Sequence, residues 1–186
     1  MPKLTKKPGK ARYLFLLRHA KAAAGGKEAG DFERPLSPRG EKDALKMAHL
    51  ILGLGILPQR ILCSPAIRTC QTLKALSSLM PGVKAELPKD LYLIGHQELL
   101  ARLNRLKPDV SSALVIAHNP GIEDLALLLA DPDQSNDKAG LARMQVKFPT
   151  GALAVLRLMG TDWKELKEGG ACLEAFVRPS DLDQAS

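Results

Sequence analysis

The stretch Tyr13-Leu14-Phe15-Leu16-Leu17-Arg18-His19-Ala20 decides the fold and the site that we expect for this chain. Its first five residues are apolar, which is typical of a buried strand. The next two side chains are a cation and an imidazole. Ligands of open α/β sheets bind beyond the carboxyl ends of the parallel strands. The stretch therefore predicts a site after the first strand, where His19 is a nucleophile, a base or a metal ligand and Arg18 favours an anion.

Four later runs also have the length and composition of strands, and helical patterns separate the first three strands. The five predicted strands cover residues 13–17, 60–63, 113–117, 152–158 and 172–177. Strands that alternate with helices predict an α/β fold, a three-layer α/β/α sandwich around a mostly parallel central sheet. The insert between the last two strands is too short for a helical crossover, so we expect an antiparallel strand at the sheet edge.

Serine–proline pairs mark two expected helix starts. Ser37 is a good N-cap and Pro38 suits the first helical position of a helix that ends near Gly53. Ser64-Pro65 repeats this start signal after the second strand. The remaining predicted elements are helices over 66–79, 98–106 and 119–129 and a polar loop over 131–138.

The net charge of +7 at pH 7 is concentrated at one end of the chain. Residues 1–12 contain five basic residues and no acid, and aromatic residues make up only 4% of the chain. The composition therefore argues against nucleic acid as a partner. We expect a flexible basic tail over residues 1–10, a single domain over 11–180 and a short C-terminal tail over 181–186.

The apolar runs and the cysteines indicate a cytoplasmic protein with no membrane partner. No apolar run approaches the roughly 20 residues of a membrane span, and the basic tail lacks the apolar centre of a secretory signal. The three cysteines are an odd number without the spacing of a disulfide framework, so reduced thiols are expected. The oligomeric state cannot be read from the sequence.

Basic and imidazole side chains gather where the first three strands are expected to end. Arg18 and His19 follow the first strand, Arg68 lies just beyond the second, and His118 with Asn119 follows the third. Such a group suits a tetrahedral dianion, because arginine supplies charge-assisted, fork-shaped donors and the expected helix starts at Ser64 and Asn119 add N–H groups. A neutral histidine can attack phosphorus and hold the phosphoryl group covalently. We expect His19 to be this nucleophile, His118 a donor to a phosphate oxygen and Asn119 a substrate-binding residue.

Several blocks of sequence, taken in order, resemble one known family. They are Arg18-His19-Ala20 and residues 34–40, 64–72, 118–121 and 148–152. Together they resemble the histidine phosphatase superfamily, which has the phosphoglycerate-mutase-like fold. The compact chain, without a helical insertion, is most similar to the SixA-type phosphohistidine phosphatase branch.

The resemblance implies a phosphatase that forms a phosphohistidine intermediate and needs neither a metal nor another cofactor. It implies that His19 becomes phosphorylated and that Arg18, Arg68 and His118 surround the phosphate. The implied partner is a phosphorylated protein, above all one that carries phosphohistidine, or a small phosphomonoester.

Two carboxyl groups are candidates for the proton donor. Other members of the superfamily use a glutamate after the second helix as the general acid. Glu98 lies in that region, although a glutamate is also expected in the first turn of a helix, and Asp31 in the loop after His19 is an equal candidate. A phosphohistidine substrate has a good leaving group, which lowers the need for a strong acid. In the same loop, Arg34 is favoured over Arg39 as a substrate-binding residue.

Other readings of the pocket stay open at this point. A small-molecule phosphomonoesterase and a non-catalytic module that binds phosphate or phosphopeptides both need the same cations. A cysteine phosphatase needs five residues between its cysteine and its arginine, whereas only four separate Cys63 from Arg68. We therefore expect Cys63 to be a small buried residue.

Overall fold

A six-stranded sheet forms the centre of the computed structural model, which describes residues 11–24 and 30–183. The strands are β1 Tyr13–Arg18, β2 Arg60–Cys63, β3 Lys84–Glu86, β4 Ser112–Ala117, β5 Leu153–Leu158 and β6 Ala171–Val177. Their order across the sheet is β3-β2-β4-β1-β5-β6. Neighbours among the first four are parallel, whereas β5 is antiparallel to both β1 and β6. The predicted mostly parallel α/β sheet is confirmed, with the reversed strand placed one position in from the edge.

In the part of the chain that the structure describes, five α-helices cover the two faces of the sheet. They are α1 Pro38–Gly53, α2 Ile67–Ser77, α3 His96–Leu103, α4 Gly121–Leu129 and α5 Lys138–Val146. The predicted start of α1 is confirmed, because the Ser37 hydroxyl accepts the Gly40 N–H and Pro38 is the first helical residue. Within residues 11–24 and 30–183, no helix is long and apolar enough to cross a bilayer.

The alternation of side chains along the central strand β1 divides the core into two halves. Tyr13, Phe15 and Leu17 pack with the buried residues of α1 and α2 on one face. Leu14 and Leu16 pack with those of α3, α4 and α5 on the other. Because both faces of the strand are covered, its sequence is a continuous apolar run rather than an alternating one. The result is the three-layer sandwich that the sequence predicts.

Among the strands and α-helices of the described residues, one strand and one helix were not predicted from the sequence. Strand β3 consists of three exposed residues at the sheet edge, so it carries no apolar signal. Helix α5 follows the loop predicted over 131–138, and the Asp137 side chain caps it by accepting the Gly140 N–H. It buries only Gly140, Leu141 and Met144, which is too few for a clear apolar face.

The chain ends of the domain lie partly outside the described residues. The basic tail over residues 1–10 and the last three residues are not described. Asp181, the first residue of the expected C-terminal tail, accepts hydrogen bonds from the Arg178 backbone N–H and guanidinium. Lys46 on α1 forms an ion pair with Asp183. The ordered fold therefore continues at least to residue 183.

Candidate active site

His19 immediately follows β1 and is only 8% exposed. Its Nδ1 lies 2.7 Å from the carbonyl oxygen of Ala20. A carbonyl can only accept, so the Nδ1 of the neutral ring carries the proton and Nε2 keeps its lone pair. Burial lowers the His19 pKa to about 4, and the positive charges of Arg68, Arg18 and Arg34 add to this effect. At neutral pH the ring is uncharged, as a nucleophile must be.

His118 follows β4 and faces His19, with ring centroids 5.1 Å apart. Its Nδ1 lies 3.2 Å from a guanidinium nitrogen of Arg68, and its Nε2 lies 2.7 Å from the Ser64 hydroxyl. Since arginine only donates, Nδ1 accepts here and the Nε2–H donates to Ser64. Burial, His19 and Arg68 lower the His118 pKa to about 3, so this ring is also neutral at pH 7.

Ser64 was expected at this site as a helix start, but the contact of its hydroxyl with His118 was not predicted. It was predicted to start a helix, but α2 begins at Ile67 and its N-cap is Ala66. The fully buried Ser64 hydroxyl instead bonds His118. A hydroxyl can donate as well as accept, so it can also support the tautomer in which the Nδ1–H of His118 donates to a phosphate oxygen. The sequence signal for this role was a serine directly after a predicted strand, at the sheet edge where His19 and His118 are also expected.

Arg68 reaches the centre of the site from the first turn of α2, and its side chain is 5% exposed. Besides His118, it donates to the Asp31 carboxylate at 2.8 Å and to the Asp31 backbone carbonyl. The burial of this guanidinium is balanced by one formal negative charge on Asp31. An anion that binds to Arg68 has to compete with this carboxylate for the guanidinium.

Asp31 does not have the properties of a general acid in this arrangement. The Tyr92 hydroxyl donates to its carboxylate at 2.8 Å, and the Arg34 guanidinium does so at 2.9 Å. The Tyr92 bond and those from Arg34 and Arg68 lower the pKa of Asp31 to about 2. A carboxyl group with this pKa has no proton to give at neutral pH, so the geometry favours a role for Asp31 as an acceptor.

The rival acid, Glu98, lies outside the hydrogen-bonded group that surrounds the histidine pair in the described residues. It is exposed in the first turn of α3, as a plain helical glutamate would be. It lines a cavity of about 370 Å³ whose walls include Ile94, Gly95 and Arg102 but neither histidine. Within the described residues, no hydrogen bond or ion pair connects Glu98 to His19 or His118.

Arg18 is held at the site by a frame that includes Asn119. One Arg18 guanidinium nitrogen donates to the Phe148 carbonyl at 2.7 Å, and the Asn119 amide donates to the same carbonyl at 3.1 Å. Glu123 completes the frame by accepting from Asn119 and from the Phe148 N–H. Asn119 therefore helps to fix the group that anchors Arg18, and its direct contact with substrate stays a prediction.

Arg34 braces the loop that follows β1. Its guanidinium donates twice to the Ala23 carbonyl, at 2.9 and 3.2 Å, and once to Asp31. These bonds connect the two described parts of the loop, on either side of residues 25–29. The positive charge of Arg34 lowers the His19 pKa. The binding of substrate by Arg34 stays a prediction.

Polar residues in the 64–72 block tie three loops together. Thr69 donates to the Ser64 carbonyl, and Thr72 accepts the Ala20 N–H. Gln71 accepts the Leu36 N–H at 2.6 Å. The block therefore holds the segment after His19 against α2 in addition to supplying Arg68.

Cys63 is fully buried and its sulfur donates to the Ser64 carbonyl. Burial raises the pKa of the Cys63 thiol, so it is not the thiolate that a cysteine nucleophile requires. Its expected role as a small buried residue is confirmed. Among the residues that the structure describes, no group of three His, Cys, Asp or Glu side chains is placed to hold a metal ion.

Comparison with known proteins identifies the family. The model of the histidine phosphatase superfamily, branch 1, matches residues 14–92. Phosphohistidine phosphatase SixA of Escherichia coli is 34% identical over 111 residues, which are 58% of this chain and 67% of that protein. This chain belongs to the histidine phosphatase superfamily.

Solved structures of SixA proteins share the fold over nearly the whole chain. The structure of a putative phosphohistidine phosphatase SixA from Nakamurella multipartitia has a TM-score of 0.78 and 30% identity, covering 93% of this chain and 99% of the other. A protein histidine phosphatase SixA complexed with tungstate has a TM-score of 0.72 and 27% identity, covering 91% and 99%. The predicted resemblance to the SixA-type branch is confirmed, and the chain is a phosphatase of this superfamily.

Proposed function

We propose that this protein removes a phosphoryl group through a phosphohistidine formed on His19, and that its substrate is a phosphohistidine on another protein. The observation that carries the proposal is the pair of buried, uncharged imidazoles with Arg68 against one of them and Arg18 beside the other. A phosphate dianion placed between these groups would meet a lone pair on one side and fixed donors around it. That arrangement fits phosphoryl transfer, in which positioning and charge stabilisation supply most of the catalysis.

The reaction has two steps. In the first, the Nε2 lone pair of His19 forms a bond to phosphorus while the bond from phosphorus to the substrate's leaving atom breaks and its electron pair leaves with that atom. In the second, water attacks phosphorus, inorganic phosphate forms and the Nε2–phosphorus electron pair returns to His19. Arg68 and Arg18 stabilise the charge on the phosphoryl oxygens in both steps.

Two observations support phosphohistidine as the substrate, and a third supports the cytoplasm as the location. The structurally similar proteins named above are a putative phosphohistidine phosphatase SixA and a protein histidine phosphatase SixA. Neither candidate carboxyl group is arranged as a strong proton donor, and a nitrogen leaving group depends on one less than an alkoxide does. All three cysteines are free thiols, which suits a reducing compartment.

The decisive experiment uses the full chain and two kinds of substrate. p-Nitrophenyl phosphate tests for any hydrolysis, and release of inorganic phosphate is expected. Binding of the ester without release would mean a phosphate-binding module rather than an enzyme. One peptide sequence carrying either phosphohistidine or phosphoserine then tests the substrate, and the larger kcat/KM is expected for phosphohistidine. An equal or larger value for phosphoserine would contradict the substrate and leave the phosphatase intact.

Replacement of Asp31 by asparagine should strengthen the binding of phosphate or tungstate. The change keeps the size of the side chain but removes the negative charge that competes for Arg68. We expect the Kd to fall by about threefold to tenfold, since Asp31 is half exposed and a charge contact of this kind is worth about 1 kcal/mol. Isothermal titration calorimetry measures this, and Asp90→Asn, an exposed carboxylate paired with Arg102, is the matched control. If Asp31 were the proton donor, the variant would instead lose kcat most strongly on alkyl phosphates.

A further inference from the structure

Phe32 and Tyr92 form an aromatic pair next to His118. The two-step reaction does not use this pair. Their ring centroids lie 4.9 Å apart with the planes at 73°. The Tyr92 ring in turn meets His118 edge-on at 5.5 Å, and the Arg68 guanidinium carbon lies 6.0 Å from its centre. The aromatic pair therefore extends outward from the histidine that faces His19.

The outer member of the pair is open to solvent. Phe32 is 40% exposed, and the 3-10 turn that carries it, Asp31–Glu33, buries none of its residues. Core packing therefore does not account for this ring. Ligand sites are typically lined by aromatic side chains around a few placed polar groups, and here the polar groups are those that surround the phosphate position.

The inner member of the pair is held in place by its backbone. Leu93, the next residue, has φ of +53°, a left-handed conformation that side chains other than glycine adopt at a cost. Helix α4 packs directly against this turn, because a Cβ on Gly121 would come within 2.1 Å of the Ile94 carbonyl oxygen. The Tyr92 hydroxyl is fixed by its bond to Asp31. Strain of this kind persists where the surroundings fix a functional conformation.

We propose that the aromatic pair is the subsite for the leaving group and that it favours phosphoryl groups carried on a planar ring. The proposal rests on the proposed function, which it extends to substrate selection. The leaving group of phosphohistidine is an imidazole ring, whereas that of phosphoserine is aliphatic. Edge or offset contacts with the aromatic pair stabilise a ring beyond the burial of its area.

The pair also suits the course of bond breaking. As Nε2 of His19 bonds to phosphorus, the nitrogen–phosphorus bond of the substrate breaks and its electron pair stays on the substrate imidazole. That ring departs neutral when its other nitrogen already carries a proton. The Asp31 carboxylate, bonded to Tyr92, lies beside the pair as an acceptor for this N–H.

The test compares two phosphonates that cannot be hydrolysed, benzylphosphonate and butylphosphonate, by isothermal titration calorimetry. The wild-type protein should bind the benzyl compound about twofold to twelvefold more tightly, the range expected for one added aromatic contact. Phe32→Leu and Tyr92→Leu should each bring this ratio towards one. Tyr92→Phe, which keeps the ring and loses the hydroxyl, should retain it. Leu57→Ala is the control. It removes an exposed apolar side chain that precedes β2, whereas the site lies beyond the other end of that strand, and it should leave the ratio unchanged.

The outcome separates this proposal from the proposed function. A wild-type ratio near one, or an unchanged ratio in both leucine variants, overturns the leaving-group subsite even if the protein is an active phosphatase. A ratio that falls in the leucine variants supports the subsite even if no ester is hydrolysed, because binding alone is measured. Thermal unfolding of each variant shows whether it is folded, and Tyr92→Phe reports on the ring if a leucine variant is not.

Discussion

Replacement of His19 by alanine is expected to lower kcat/KM for p-nitrophenyl phosphate by about 10⁴-fold or more, as is usual when the nucleophile of a covalent mechanism is removed. The pocket cations remain in the variant, so binding of the ester should largely survive. The expected signature is therefore a loss of kcat with a much smaller change in Kd, measured by steady-state kinetics and by calorimetry.

A covalent intermediate gives this prediction a second and more specific readout. Wild-type protein quenched during turnover should carry phosphate that is labile in acid and stable in alkali, as a phosphorus–nitrogen bond is. Peptide mapping should place it on His19, and His19→Ala should carry none. His49→Ala is the matched control, because His49 is exposed on α1 and its Nδ1 bonds the Leu45 carbonyl. Turnover by His19→Ala within about tenfold of the wild type would be far above the residual rate expected without a nucleophile and would exclude the mechanism.

The parts of the site that follow from the sequence are those at the exits of parallel strands. His19 follows β1 and His118 follows β4, and these strands are direct neighbours in the sheet. Strand pairing alone therefore brings the two histidines together. Arg68 could be placed for a similar reason, since β2 is the other neighbour of β4 and α2 follows it closely.

The parts that could not be predicted depend on contacts between loops. Asp31 and Tyr92 are 61 residues apart and meet through one hydrogen bond. No periodicity or spacing reports such a pairing. Ser64 was assigned to the wrong role because a serine before proline has the same local pattern whether its hydroxyl caps a helix or turns towards a neighbouring strand. Tertiary packing, which places His118 within 2.7 Å of that hydroxyl, decides between the two.

Replacement of Arg68 by alanine is expected to have the second-largest effect, a fall in kcat/KM of about 10²–10³-fold, the usual loss of one preorganised donor to a transition-state oxygen. The Arg68 guanidinium donates hydrogen bonds to both His118 and Asp31. Its removal would leave the His118 Nδ1 without a donor and the Asp31 carboxylate without its buried partner. The loss should therefore appear in kcat and in the Kd for tungstate, because the same guanidinium serves the bound anion and the transition state.

The lysine variant distinguishes the charge of Arg68 from its shape. An ammonium group keeps the charge but cannot donate to His118 and to a phosphate oxygen in one rigid fork. Arg68→Lys should therefore recover anion binding better than turnover. Arg60→Ala is the matched control, because Arg60 is the first residue of β2, at the end of the strand opposite Cys63, and its guanidinium donates to the adjacent Gln59 carbonyl. Full activity in Arg68→Lys would mean that charge alone suffices, and full activity in Arg68→Ala would remove Arg68 from the pocket altogether.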